Sequence, residues 1–218
     1  MTPTDGAQTL PPPVRLTRFG PLTIAYDDRV LEPRPWTVMQ SAWAAQLLAD
    51  LPPGDVLELC SGAGHIGLLA LDGTDRRLVL VDENPTACRY ARVNADLARG
   101  PGAVEIREGR MADALEPDER YALVIADPPW VPTSQVAGHP DDPVTAIDGG
   151  PDGLGLVRTC VDLIGRHLAD GGAAILQVGP DQTRTVASYV AASPALRLRV
   201  VEERLLEQGG LVHLARVG

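Results

Sequence analysis

From residue 55 onward the chain alternates short apolar runs with amphipathic ones, and this alternation restricts the fold more than any other feature. Strand-like runs cover residues 55–59, 77–81, 103–107, 122–126, 173–178, 196–203 and 211–217. Helix-like runs at 65–71, 86–99, 154–169 and 182–192 lie between them. Strands that alternate with helices build a parallel sheet covered on both faces, joined by right-handed crossovers. No helical pattern separates the last two strand runs. Gly209-Gly210 instead supplies the positive φ angles of a tight hairpin turn. One strand must then run antiparallel, and the expected fold is α/β with seven strands.

Ahead of this pattern, residues 14–19 and 22–26 read as two short strands around Gly20-Pro21. Pro33-Arg34-Pro35 holds the chain extended. Thr37 is placed to cap a helix reaching Leu51, with Val38, Ala42, Ala45 and Leu48 at helical spacing. The chain thus divides into a disordered tail over residues 1–13, a lid-like segment over 14–51 and a main domain over 52–218. At 218 residues and 44% hydrophobic, that domain has enough apolar surface for a sizeable core. No apolar run reaches the ~18 residues of a membrane span, and the N-terminus lacks the layout of a secretory signal. Cys60, Cys88 and Cys160 are odd in number and unclustered, as expected of reduced thiols in a cytoplasmic protein. The net charge of −10 argues against a nucleic-acid partner, which usually requires a basic footprint. Arg15, Arg18, Arg29 and Arg34 are the obvious contributors to any local basic face.

A seven-stranded, mostly parallel sheet whose last strand alone is antiparallel resembles the Rossmann-like class I methyltransferase fold. Ordinary Rossmann dehydrogenases lack the closing hairpin. The stretch Val56-Leu57-Glu58-Leu59-Cys60-Ser61-Gly62-Ala63-Gly64-His65-Ile66-Gly67 reads as a buried strand, a small-residue turn and a helix start. Gly62 and Gly64 let the backbone approach a ligand, Cys60 takes a further glycine-like position, and the helix start presents free N–H groups. Glu58 precedes the turn, where a carboxylate repels a phosphate but suits the ammonium or sulfonium of S-adenosylmethionine. Asp82-Glu83 end the next strand, a place from which a carboxylate can accept both hydrogen bonds of a ribose diol. Such enzymes often end the third strand in Gly-Asp, whose Asp meets the adenine amino group. Here Gly109-Arg110 stands there, so adenine contacts are expected from the Met111 backbone or, by a shift of register, Asp113.

The fourth strand runs into Asp127-Pro128-Pro129-Trp130 at its carboxyl end, where α/β folds bind ligands. An amide or exocyclic nitrogen is a poor nucleophile because its lone pair is delocalised. Acceptors for its N–H bonds, the Asp127 carboxylate and the Pro128 carbonyl, would concentrate electron density on nitrogen and aim it. Pro129 stiffens the turn, and Trp130 would stack on a planar target and face a passing positive charge. Asp127 borders cofactor and acceptor alike. His65 reads as a helix-start residue, and His167 and His213 as helix and strand positions. Cys88 and Cys160 read as packing. His139 beside Asp141-Asp142 has too few companions for a metal site, and no metal is expected.

Three stretches resemble the peptide-release-factor glutamine N5-methyltransferases. Pro33-Arg34-Pro35 matches their Pro-Arg-Pro, Asp127-Pro128-Pro129-Trp130 their Asn-Pro-Pro-Tyr, and residues 146–154 (AIDGGPDGL) their glycine-rich downstream stretch. The resemblance spans roughly residues 30 to 180 and implies S-adenosylmethionine-dependent methylation of an amide or amino nitrogen, on a protein side chain or a small metabolite. It departs from the pattern in three places. The family's N-terminal helical domain is not expected in this sequence, Trp36 stands where Glu is usual, and Asp127 replaces Asn. An Asn side chain both donates and accepts, whereas an ionised Asp only accepts. Two other readings compete with this one, an RNA methyltransferase acting on adenine N6 or guanine N2, and a non-catalytic cofactor-binding activator subunit.

Overall fold

The computed structural model describes residues 13–217, so the expected tail over residues 1–13 lies, apart from Pro13, outside the described residues. A hairpin, β1 (Arg15–Phe19) and β2 (Leu22–Tyr26), leads through a short 3-10 turn at Pro35–Thr37 into α1 (Val38–Asp50). The main unit then runs β3 (Val56–Leu59), α2 (His65–Ala70), β4 (Leu78–Asp82), α3 (Pro85–Arg99), β5 (Val104–Glu108) and β6 (Tyr121–Ala126). After α4 (Val144–Ile147) and α5 (Gly155–His167) come β7 (Leu168–Val178), α6 (Thr183–Ala192), β8 (Leu198–Leu206) and β9 (Gly209–Arg216). No helix among the described residues is long and apolar enough to cross a membrane.

The seven strands from β3 onward form one sheet in the order β5-β4-β3-β6-β7-β9-β8. Every neighbouring pair from β5 to β7 is parallel, and β9 alone runs antiparallel to both its neighbours. This is the expected α/β sheet with its closing antiparallel strand. The central strands read as near-continuous apolar runs because both their faces are buried. Leu57, Leu59, Val79, Val81 and Val124 pack toward α5 and α6 through Val157, Val161 and Val186. The alternate residues Val56, Leu78, Leu80, Leu123 and Ile125 pack toward α1, α2 and α3 through Leu48, Ile66 and Ala91. The period of two along each strand thus separates one core into two layers.

Three local expectations are corrected. Thr37 does not cap α1 with its side chain; its hydroxyl donates to the Arg34 carbonyl instead, at 2.8 Å, which fastens the preceding turn. Ala42 and Ala45 face solvent, and α1 buries Gln40, Ser41, Trp43, Ala44 and Leu48. Two polar side chains belong to that face because backbone carbonyls of neighbouring elements take donors from it. Gln40 Nε2 donates to the carbonyls of Ala126 and Ile175, and Ser41 Oγ to that of Ile66. Finally, Glu207-Gln208 make the hairpin turn, while Gly209 and Gly210 already lie in β9. Those glycines answer to crowding: a Cβ on Gly209 would come within 2.9 Å of the Val178 carbonyl, and one on Gly210 would overlap Thr183.

The β1–β2 hairpin docks on the outer side of α3, burying Phe19 and Ile24. Asn94 is the rivet. Its Oδ1 accepts from the Ala25 backbone at 2.8 Å, and its Nδ2 donates to the carbonyls of Ala25 and Ala63 at 3.0 Å each. Its side chain thereby joins the hairpin to the turn after β3. Replacing Asn94 with Ala leaves those buried backbone groups without partners, so we expect a loss of about 3 kcal/mol. Chemical denaturation of the purified variant measures it, and a loss within 0.5 kcal/mol of zero, taken as roughly the surface-mutation range, would show that the rivet does not matter.

Candidate active site

The strand order reverses between β3 and β6, and such a switch point opens a crevice beyond the carboxyl ends of the strands. Two cavities meet there. The first lies against the turn after β3 and the tip of β4, and its walls include Ser61, Gly62, His65, Asp82, Glu83 and Asp127. The second, of about 270 Å³, has Arg34, Trp36, Trp130, His139, Asp142 and Gln177 among its walls. Leu31, Asp127, Pro129 and Ala146 border both.

In the first cavity, Asp82 is oriented by the backbone around it. Its Oδ2 accepts from the Gly62 N–H and its Oδ1 from the Asn84 N–H, both at 2.8 Å. Burial raises its pKa above the ordinary value, yet each oxygen keeps acceptor capacity for a further donor. Glu83 follows at the exposed rim. Gly62 takes φ +53° with open space where a Cβ would sit. Gly64 has another purpose: at φ +78°, its missing Cβ makes room for the Leu80 side chain, which a methyl group would meet at 2.8 Å. It serves helix-on-strand packing rather than ligand approach. Cys60 lines the cavity at φ +55°, an uncommon backbone for a side-chain-bearing residue. The neighbouring Cys160 and burial push its thiol well above the ordinary pKa, which keeps it unionised.

Glu58 lies elsewhere than the sequence suggests. It is buried beneath the turn, with Oε2 accepting from the Gly67 N–H at 2.9 Å and Oε1 without a partner. Burial pushes its pKa up to about 8, against the Gly67 hydrogen bond that lowers it. It does not border the cavity. Met111 is likewise turned inward, its sulfur 3.6 Å from that of Cys160, and Asp113 is exposed; neither borders the first cavity. Sequence reasoning also passed over His65. Its ring stands edge-on to Phe19, with centroids 4.7 Å apart, so it joins the hairpin to the cavity wall. Burial pushes its pKa down to about 3, and it is neutral. The only hint in the sequence was its place at the start of α2.

The cavity is therefore edged by Asp82, Glu83 and Asp127 with no Arg or Lys among its walls. Such a lining repels a pyrophosphate and fits a ligand carrying an ammonium and a sulfonium, as S-adenosylmethionine does. Asp82 would hold its ribose, and the Ser61-Gly62 turn would face its amino-acid end.

At the shared wall, Asp127 is half-buried, and burial alone pushes its pKa up to about 7. Neither its carboxylate nor the Pro128 carbonyl takes a hydrogen bond from any described residue, although both border the second cavity. The downstream glycine-rich stretch explains how this tetrapeptide is held. The Val131 N–H donates to the Ile147 carbonyl at 2.9 Å, and the Gly149 N–H to the Val131 carbonyl at 2.8 Å. A Cβ on Gly149 would stand 2.8 Å from the Pro129 carbonyl, and one on Gly153, at φ +72°, would collide with that of Trp130. Gln182 Nε2 donates to the same Trp130 carbonyl at 3.0 Å. Backbone thus packs directly on backbone, and only glycine permits it.

The N-terminal segment closes the second cavity from outside. Arg34 pairs with Asp142 across the rim and lies over the Trp36 ring, 5.6 Å from its centroid. Arg15 and Arg29 pair with Asp28 and Asp27. Three of the four arginines of a possible basic face are thus already matched by acids. No group of His, Cys, Asp and Glu among the described residues could hold a metal ion.

Comparison with known proteins gives this arrangement a setting. The family model described as the methyltransferase small domain matches residues 41–139. A release factor glutamine methyltransferase of Mycolicibacterium smegmatis is 35% identical over 182 residues, covering 78% of this chain and 62% of the relative. A ribosomal protein uL3 glutamine methyltransferase of Burkholderia pseudomallei is 29% identical, covering 75% and 57%. The chain spans between about half and two-thirds of the length of these curated relatives. Among solved structures, the ribosomal protein L11 methylase of Lactobacillus delbrueckii superposes with a TM-score of 0.64 at 12% identity, covering 88% of this chain and 84% of that one. A tRNA (uracil-54, C5)-methyltransferase of Pyrococcus abyssi, solved with S-adenosyl-L-homocysteine, gives 0.58 at 15% identity, covering 94% and 44%. These two likenesses are of fold.

The bracing of the tetrapeptide can be tested at Gly153. Gly153→Ala would drive the Trp130 carbonyl away and displace the reacting loop by a fraction of an ångström. We expect methyl transfer to fall by about tenfold or more, with S-adenosylmethionine affinity by calorimetry changed less than about twofold. Equal loss of both would show that the glycine supports the whole crevice.

Proposed function

We propose that this chain, which belongs to the class I S-adenosylmethionine-dependent methyltransferases in the sequence family of the release factor glutamine methyltransferases, methylates the side-chain amide nitrogen of a glutamine in a protein. The observation that carries this reading is a pair of acceptors without a hydrogen bond from any described residue, the Asp127 carboxylate on the wall between the two cavities and the carbonyl of Pro128, which lines the second. An amide NH₂ has two N–H bonds to give. Two fixed acceptors would draw electron density onto its nitrogen and turn its lone pair toward the first cavity. The cofactor supplies, when bound there, an electrophilic methyl carbon. The proton that nitrogen gives up has a receiver in the Asp127 carboxylate, which is held unpaired at the wall for it. Trp130 offers a flat apolar surface to the planar group. Most of the rate enhancement would come from alignment and from acceptors fixed in advance.

The relatives' own names supply the kind of acceptor, a release factor or a ribosomal protein. An acidic chain in which Arg15, Arg29 and Arg34 are matched by acids suits a protein loop better than a polyphosphate backbone. In this reading residues 14–51 act as the lid, since Leu31, Arg34 and Trp36 rim the acceptor cavity. The reaction would take place in the cytoplasm, where translation factors work.

Two substitutions separate the roles. Asp127→Ala should lower kcat by about 10²–10³, the usual loss when a charge-placing group is removed, with cofactor affinity nearly intact. Asp82→Ala should weaken cofactor binding first, by about tenfold to a hundredfold, as for a lost hydrogen bond to a charged group. The reverse pattern would exchange the two assignments.

The pH profile follows from Asp127. Its ionised form is the acceptor and its pKa is about 7, so kcat/KM should rise with pH through about 7 and fall away below it. In Asp127→Asn that inflection should vanish. An unchanged profile in this variant would place the titrating group elsewhere.

A further inference from the structure

The acceptor cavity contains one buried polar side chain that the reading above leaves unused. Gln177, near the end of β7, is 3% exposed and borders the cavity. Its Oε1 is buried without a hydrogen-bond partner among the described residues. A buried amide oxygen without a partner costs free energy and calls for an explanation. Strain in the strand is not one, because Gln177 stays in register opposite Leu211 of β9.

Its position suggests the partner. In the parallel pair of β6 and β7, Ala126 stands opposite Leu176, so Asp127 and Gln177 leave the two strands as the next neighbours, roughly 5 Å apart. Both border the same cavity. A primary carboxamide offers N–H donors at one end and a carbonyl acceptor at the other. Asp127 and the Pro128 carbonyl answer the N–H bonds, but neither can serve the carbonyl, since an ionised carboxylate only accepts. Of the other donors at the wall, the Thr37 hydroxyl is committed to the Arg34 carbonyl and Arg34 pairs with Asp142, while Gln177 is the buried donor on the strand next to Asp127. A half-turn of the Gln177 amide brings either its NH₂ or its oxygen toward the ligand, so a donor is at hand.

We propose that Gln177 donates a hydrogen bond to the carbonyl oxygen of the acceptor and so makes the site select a carboxamide over an amine. This rests on the reading of the site as a glutamine N-methyltransferase. It assigns the donating half of recognition to β7, while the tetrapeptide of β6 keeps the accepting half. An amine acceptor has no carbonyl, would leave Gln177 unpaired, and would be disfavoured for that reason.

The test uses the purified full chain, S-adenosylmethionine and two short peptides identical except that one carries a single glutamine and the other a single lysine. The native protein should methylate the glutamine peptide preferentially. Gln177→Leu should lower kcat/KM for that peptide by about tenfold or more, mainly through KM, with cofactor affinity changed less than about twofold. Gln177→Glu keeps the shape but is ionised above its pKa, so it should lose the carboxamide preference too. Beside Asp127 it should also raise the pH at which activity sets in. Retained cofactor binding reports that each variant is folded. Glutamine turnover that stays within about twofold in both variants would overturn the role of Gln177 and leave the proposed function standing. Methylation by the native protein of the lysine peptide but not the glutamine peptide would overturn both.

Discussion

A parallel sheet covered on both faces leaves only its ends open to a ligand, and everything functional in this chain follows from that restriction. The layers against α1, α2 and α3 on one side, and α5 and α6 on the other, bury the central strands completely. Chemistry is then possible only where the strand order reverses and adjacent crossovers depart to opposite faces, between β3 and β6. The turn after β3 and the tetrapeptide after β6 are neighbours for that reason, though more than sixty residues separate them in the chain. Gln40 ties α1 to the end of β6 through the Ala126 carbonyl, and Asn94 ties the hairpin to the turn after β3.

Acids in the crevice, and Glu58 buried beneath its turn, lie in surroundings that disfavour their charge. Glu58, Asp82 and Asp127 are all raised by burial, to about 8 for the first and about 7 for the last. A carboxyl whose folded pKa lies above its unfolded one binds more protons when folded. The unliganded fold therefore loses stability as pH climbs from about 4 toward about 8. A cation in the first cavity favours the ionised forms and offsets this loss. The arrangement is costly in the absence of a positively charged ligand, which is a physical reason for expecting one.

The large features were legible because each rests on a pattern with one interpretation. Fully buried strands read as unbroken apolar runs, and a pair of strands without a helix between them has to be a hairpin. Asp127-Pro128-Pro129-Trp130 stood out because prolines and an aromatic end an apolar strand. What escaped depends on tertiary crowding. Gly209 and Gly210 look like turn residues, yet they are glycines because Val178 and Thr183 stand against them. The face of α1 was misread because Gln40 and Ser41 are buried to satisfy backbone carbonyls of other elements. Glu58 sits in a strand with both faces covered, so its carboxyl had to go beneath the turn rather than onto the cavity wall. A polar residue near the end of a strand has no distinguishing pattern, and Gln177 was invisible for that reason.

In the proposed reading, the division between two adjacent strand tips is how an acidic tetrapeptide serves an amide. A side chain that both donates and accepts could contact both ends of a carboxamide alone. Asp127 cannot, but its charge makes it the stronger acceptor, since hydrogen bonds to an ionised group exceed neutral ones. Its lack of a partner among the described residues keeps that strength available for the ligand. In that reading the donor comes from β7, the strand that pairs with β6 in parallel register and brings Gln177 beside Asp127 at the same cavity. Position in the sheet, rather than proximity in the chain, puts the two halves of the site together.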